Sequence, residues 1–296
     1  MATIETGLRL SKLALLVNAL LAAVKIATGI LGNSYVLIAD GIESTADIFS
    51  SLVVWSGLRV AVIPADENHP YGHGKAESVA SVVVSMLLLG AALLIAAQSV
   101  REILTPHLAP AWFTLPVLLV VIVIKEILFR LAFRAGQSLE STALKSDAWH
   151  HRSDALTSAA AFVGITIALV GGPGYEGADD WAALIACGVI ARIGLRLLRA
   201  ALDELMDASV APDVVAAVRR LAMDVENVRA IDKCRIRKSG LHLALDIHVV
   251  VDGELSVREG HDISHLVKDR LLASPHRIQD VTVHIEPEKK RGPAAG

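Results

Sequence analysis

Two stretches of this sequence place acidic and imidazole groups at helical spacing inside otherwise apolar runs. In LIADGIESTADIFSS, Asp40, Glu43 and Asp47 fall three and four residues apart, and in SDAWHHRSDALTS, Asp147, His150 and Asp154 repeat that spacing. Residues three and four apart share one face of a helix, so each stretch presents a polar stripe. An ionised carboxylate at mid-bilayer costs on the order of 3 kcal/mol even on a lenient insertion scale, so these six acidic or histidine groups on two helices need a compensating partner. A divalent cation supplies it. Glu43 and Asp47 from one helix with His150 and Asp154 from the other make four N and O ligands, which suits tetrahedral Zn²⁺. Asp40 and Asp147, one turn nearer the helix starts, would be outer or entrance groups. The alternative is that these acids only pair with Arg152 and Lys25 inside a bundle, and the repetition on two helices disfavours it. His151 reads as a packing residue, and Lys125 and Glu126 as residues that snorkel or pair structurally.

Two further histidine groups lie in more polar sequence. The linker PADENHPYGHGKAE carries Asp66, His69 and His73, which can hold one metal from a short Gly-bearing loop. Near the C-terminus, His248 ends a strand pattern that carries Asp246, His261 starts a helix pattern, and His284 and Glu286 alternate on the last strand and so share a face. Solvated surface histidines are the alternative for both.

The elements that must position these groups follow from composition. Of 296 residues, 53% are hydrophobic and 20% charged, mean hydropathy is +0.53, and the apolar residues are clumped. About 20 apolar residues span a bilayer as a helix, and six such stretches are expected near 11–31, 36–60, 79–100, 112–134, 147–170 and 181–203. The linkers after the second, fourth and sixth are flanked by Lys and Arg, whereas GNS and GGPGYEGADD carry neither, which puts both termini in the cytoplasm. The first stretch has no cleavage site of the signal-peptide kind and reads as a retained span. A net charge of -3 without a basic stripe argues against a nucleic-acid partner. Cys187 and Cys234 form no CxxC pair, so neither a disulfide framework nor a thiolate zinc site is expected.

Pro212 opens a different regime: helix 212–224, strands 228–238 and 241–252 around a turn at Gly240, helix 256–272, and the closing strand VTVHIEP. The expected fold is therefore an α-helical membrane protein with six transmembrane helices (1–207) and a C-terminal α+β domain of order αββαβ (208–287). Residues 288–296, which include KKRGPAAG, would close the chain as a disordered tail. No HExxH or serine-nucleophile signature supports an intramembrane hydrolase.

Over residues 8–287 the chain resembles the cation diffusion facilitator family, in its bacterial ferrous-iron and zinc efflux type. The most specific pieces are the paired acidic and His-plus-Asp motifs, HPYGHGKAE from His69 and SDAWHHRSDA from Ser146. The resemblance implies a divalent-metal exporter rather than an enzyme, with six spans, a cytoplasmic metallochaperone-like domain, a homodimer, exchange of metal for protons and an inner-membrane location. It makes Glu43, Asp47, His150 and Asp154 the transport site, Asp66, His69 and His73 a linker site, and His248, His261, His284 and Glu286 a cytoplasmic site. Asp232 joins the last set where relatives can carry histidine. Lys75 and Asp207 fall where relatives form a charge pair at the dimer contact. Zn²⁺ is the first expectation as bound substrate and regulator and Fe²⁺ the second, with no organic cofactor; Glu43 stands where zinc-transporting members have Asp or His. The alternatives are a non-transporting membrane metal sensor or scaffold, and transport of Mn²⁺, Co²⁺ or Cd²⁺.

Overall fold

The computed structural model describes residues 4–31, 35–104, 114–171, 175 and 178–288. Six long helices come first: α1 (Ile4–Leu31), α2 (Tyr35–Ala61), α3 (Lys75–Leu104), α4 (Thr114–Leu139), α5 (Thr142–Gly171) and α6 (Ala178–Leu205). They run past the expected spans at most ends, because the apolar stretch marks the part that lipid can cover while the helix continues into polar flanks. At 1.5 Å per residue, the 30 residues of α3 reach about 45 Å, more than the roughly 30 Å hydrocarbon core. Among the described residues, α1, α3, α5 and α6 are long and apolar enough to cross a membrane. In α4, Lys125, Glu126 and Arg130 interrupt the apolar run.

The helical unit buries many polar side chains beside apolar ones and turns large apolar ones outward. Ser11, Asn18, Ser50, Ser51, Ser81, Ser85, Lys125, Ser146 and His151 are buried, whereas Leu16, Leu20, Leu93, Leu94, Val120, Val123, Ile185 and Leu195 point outward. That is the reverse of a water-soluble bundle, and it places the protein in a membrane, where small and hydroxyl residues let helices approach. Ser81 Oγ on α3 meets Ser146 Oγ on α5 at 2.7 Å, and the buried Glu77 carboxylate accepts from the Ala143 amide at 3.3 Å in the first turn of α5. A carboxylate there satisfies an otherwise orphan N–H and complements the positive helix end, which fixes α5 against α3.

The α4–α5 corner holds the helix that bears His150 and Asp154. Glu140 takes a left-handed φ of 57°, the Ser141 amide donates back to Gly136 O at 3.0 Å and the Glu140 amide to Gln137 O at 3.3 Å, which is the Schellman pattern. Ser141 Oγ then accepts from the Leu144 amide at 3.1 Å and caps α5. Gly136 is required by proximity: a Cβ there would lie 3.0 Å from the Lys145 amide nitrogen and 3.2 Å from Leu144 Cβ.

Contacts divide the chain into residues Met1–Leu202 and Asp203–Gly296. In the second unit α7 (Pro212–Met223) and α8 (Val257–Leu272) flank β1 (Ala230–Ser239), β2 (His242–Val251) and β3 (Ile278–Pro287). Sheet order is β1-β2-β3, with β1 and β2 antiparallel around Gly240 (φ 61°) and β2 and β3 parallel. Pro212 starts α7 at a position where no amide is needed, and a Ser256–Glu259 capping box starts α8. Leu245, Ile247, Val249 and Val251 alternate into a core with Val218 and Ala222 of α7 and Ile263, Val267 and Leu271 of α8. Both helices thus cover one face and leave the other open. β3 begins at Ile278 instead of 281, since Ile278 pairs with Leu243 and enters that core.

Candidate metal centres

Within the helical unit, Asp47 on α2 meets His150 and Asp154 on α5, and one ligand atom from each lies within 4.8 Å of the others. His150 Nε2 stands 3.1 Å from Asp47 Oδ1. Two ligands of a tetrahedral zinc at about 2.0 Å are separated by roughly 3.3 Å, so this spacing suits a shared ion. Asp47 and His150 are buried and Asp154 is half-buried. The other two acids expected beside them, Asp40 and Glu43, lie on α2, but their side chains fall outside the described residues, as does that of Lys25.

The pair of carboxylates is bridged by a lysine. Lys125 of α4 donates to Asp47 Oδ2 at 2.5 Å, to Asp154 Oδ2 at 2.9 Å and to Asn18 Oδ1 at 3.2 Å. Asn18 of α1 in turn reaches Ser51 Oγ at 3.3 Å. Lys125 therefore does not snorkel: its side chain is 3% exposed and it is the charge partner of the site. Among the described residues Arg152 forms no ion pair with these acids, and its guanidinium lies over the rings of Phe129 (4.4 Å) and Trp149 (5.6 Å). Asp147 is buried one turn before His150, and among the described residues neither carboxylate oxygen has a hydrogen-bond partner; the His151 Nε2 atom is 3.7 Å away.

In the linker, Asp66 accepts from the amides of Asn68 (3.0 Å) and His69 (2.7 Å) and so builds its own turn. The turn brings His69 Nδ1 to 3.2 Å and His73 Nε2 to 3.6 Å of the same carboxylate, and Gly72 closes it at a φ of 79°. The His69 amide bond, then the two nearby imidazoles, holds the Asp66 carboxyl below its ordinary value. All three groups offer a ligand atom to one point.

In the second unit, parallel pairing puts His248 opposite His284 and Val250 opposite Glu286, all on the open face of the sheet. His248 Nδ1 is 2.6 Å from Glu286 Oε1, and His284 Nε2 is 3.9 Å from it. The hydrogen bond from His248 holds the Glu286 carboxyl below its usual range. His261 does not join this group within the chain: it lies on α8, across the sheet, with its Nε2 3.2 Å from His265 Nε2. Asp232 sits in the irregular stretch of β1 between Ile231 and Cys234, its carboxylate 3.9 Å from Lys233 Nζ. Lys75 opens α3, and Asp207 takes the left-handed position (φ 59°) after α6, in the other unit.

Family models match the chain in two parts: the cation efflux transmembrane domain over residues 11–206 and the cation efflux protein cytoplasmic domain over 210–288. The chain belongs to the cation efflux family, the cation diffusion facilitators. It is similar to the manganese efflux system protein MneP of Bacillus subtilis (strain 168), with 30% identity over 94% of this chain and 95% of that one. It is also similar to the magnetosome protein MamB of Magnetospira sp. (strain QH-2), with 33% identity over 88% of each chain. With metal tolerance protein 2 of Oryza sativa subsp. japonica it shares 30% identity over 95% of this chain and 78% of that one. A solved variant of MamM-CTD, 25% identical, covers 27% of this chain and all of that one at a TM-score of 0.26.

As a cation efflux protein the chain moves a divalent metal ion as cargo and is not an enzyme, and its cytoplasmic domain is of the dimerising type. Two residues of the intramembrane cluster escaped the sequence reading of this efflux protein: Asn18, in LLVNALL, and the role of Lys125, in VIVIKEI. Asn18 is a lone polar residue in an apolar run and Lys125 a charged one followed by Glu126, and a polar residue in such a run is by itself a signal of a polar partner across the bundle.

Proposed function

We propose that the chain exports a divalent transition metal from the cytoplasm across the inner membrane in exchange for protons, zinc first and ferrous iron second. Glu43, Asp47, His150 and Asp154 form the transport site, with Asp40 and Asp147 at its entrance. The observation that carries the reading is the meeting of Asp47, His150 and Asp154 from two helices at one point inside a bundle that buries many polar side chains. Imidazole favours borderline metals such as zinc and ferrous iron over the harder ions that prefer all-oxygen sites. Protons and metal compete for His150 and the carboxylates, so an inward proton gradient drives outward metal flux.

The cytoplasmic unit carries the regulatory role. Metal at His248, His284 and Glu286, completed by His261 or Asp232 of a second copy, favours one dimer arrangement over another. Asp66, His69 and His73 deliver or sense metal at the linker, and Lys75 and Asp207 pair where the copies meet. Manganese is the second reading. The likeness to a protein named for manganese efflux and the two carboxylates on the site favour it, and His150 weighs against it.

Uptake of Zn²⁺, Fe²⁺, Mn²⁺ and Co²⁺ into proteoliposomes under an imposed pH gradient tests the proposal, with Asp154→Ala as control. One metal moving with the gradient, and stopping in the variant, supports it and names the cargo. Metal binding without flux under any gradient replaces it with a membrane sensor.

A further inference from the structure

The three ammonium donors of Lys125 are spent on three acceptors, Asn18 Oδ1, Asp47 Oδ2 and Asp154 Oδ2. Two of those oxygens belong to the residues that, with His150, can hold a metal ion. The ammonium is tethered to α4, 3% exposed, and lies between the two carboxylates. The ammonium uses one oxygen of each carboxylate and leaves lone pairs on both, but a divalent ion held by Asp47 and Asp154 would lie within a few Å of it, and two cations that close in a buried site repel strongly.

We propose that Lys125 is the site's built-in competing cation: its ammonium closes on Asp47 and Asp154 when no cargo is bound and must withdraw for a divalent metal to enter. This rests on the transport-site reading above. The device removes the penalty of two bare carboxylates within the membrane when the site is empty, and it lowers the affinity for cargo, which favours release. A parking place is at hand. Among the described residues, neither of the two buried carboxylate oxygens of Asp147 has a hydrogen-bond partner, and Asp147 lies on α5 one turn before His150. Withdrawal toward it keeps the ammonium paired and leaves Asp47, Asp154 and His150 free to coordinate. Lys125 thus acts on cargo through the ligands and sets the threshold for loading.

The sign of the effect separates this role from a structural one. A structural lysine, when removed, loosens the site and weakens metal binding; a competing one, when removed, tightens it. Zn²⁺ binding is measured by titration calorimetry on the full chain, in a background with His69, His73, His248 and His284 replaced by alanine to silence the other clusters. Lys125→Met is expected to bind Zn²⁺ about tenfold or more tightly, and in proteoliposomes its KM and its maximal flux both fall because cargo is retained. Asp147→Asn is expected to weaken binding several-fold, and to have no effect when combined with Lys125→Met. Unchanged or weaker binding in a folded Lys125→Met overturns the proposal, and so does an Asp147→Asn effect that persists in the double variant.

A measurement on the unaltered protein covers the case in which Lys125→Met does not fold. With ¹⁵N-lysine and ¹³C-aspartate labels in bilayers, solid-state NMR is expected to show coupling between Lys125 Nζ and the Asp47 and Asp154 carboxyl carbons without metal. That coupling is lost at saturating Zn²⁺, and its persistence with Zn²⁺ bound overturns the proposal. If the silenced background binds no Zn²⁺ and Asp154→Ala changes nothing, the transport-site reading itself has failed.

Discussion

Asp47→Asn is expected to destabilise the helical unit more than Asp154→Asn, although both remove one of the two carboxylates that hold Lys125. Unit charges 3 to 4 Å apart interact with about 4 to 6 kcal/mol at an effective dielectric near 20, and stripping one partner from a buried pair costs about 3 to 5 kcal/mol. Asp47 takes most of that range. Its side chain is 10% exposed, it holds Lys125 at 2.5 Å and it also meets His150 at 3.1 Å. Asp154 is 26% exposed and meets Lys125 at 2.9 Å; with less of its charge buried, the loss is expected to fall to about 1 to 2 kcal/mol. The expected gap is about 2 kcal/mol. Thermal unfolding of the metal-free protein in detergent reads it through tryptophan fluorescence, since Trp149 neighbours His150 and packs 5.5 Å from Phe129 of α4. Neutralising all three members together (Asp47→Asn, Asp154→Asn and Lys125→Met) should recover most of the loss, because no unpaired charge of the network is left, whereas Asp47→Asn with Lys125→Met alone leaves Asp154 without its cation. Equal losses for the two aspartates, or a triple variant no better than Asp47→Asn, would refute the view that one buried ion network ties α2, α4 and α5 together.

Further outcomes follow from the other groups. His73→Ala should abolish linker binding and lower the metal bound per chain by one, with gradient-driven uptake preserved, as equilibrium dialysis beside a flux assay would show. The Glu286 carboxyl is held below its ordinary value of 4.5 by His248, so its stabilising contribution is complete above about pH 4.5 and disappears as pH falls through the lower folded value. Amide exchange of β2 and β3, compared with Glu286→Gln at each pH, should show a protection gap at pH 6 that closes toward pH 3. Ile247→Ala, at a fully buried core position, should cost about 2 to 5 kcal/mol in exchange protection of the cytoplasmic unit and leave the intramembrane cluster intact. Gly136→Leu should separate α4 from α5, since even a Cβ meets the Lys145 amide at 3.0 Å, and Zn²⁺ binding at His150 and Asp154 would fall with it.

What the sequence disclosed about the sites followed from local periodicity, and what it withheld depended on pairing between distant elements. Spacings of three and four placed His150 and Asp154 on one side of α5, and the same argument reached Asp47 on α2, because a helix fixes which residues share its face. Which helices then face each other is settled by packing. Lys125 and Asn18 reach Asp47 from 78 and 29 residues away, and nothing in VIVIKEI tells which neighbour receives the ammonium. The cytoplasmic unit divides the same way. Alternation put His284 and Glu286 on one strand face, but His248 joins them only because β3 pairs parallel to β2 in the register that sets His248 beside His284. His261 was grouped with them on residue type, and the sheet separates it, since α8 must cover the apolar face in order to bury Ile263, Val267 and Leu271. Its partner in one chain is His265, one turn on, and only a second copy could bring His261 back to the open face where His248 lies.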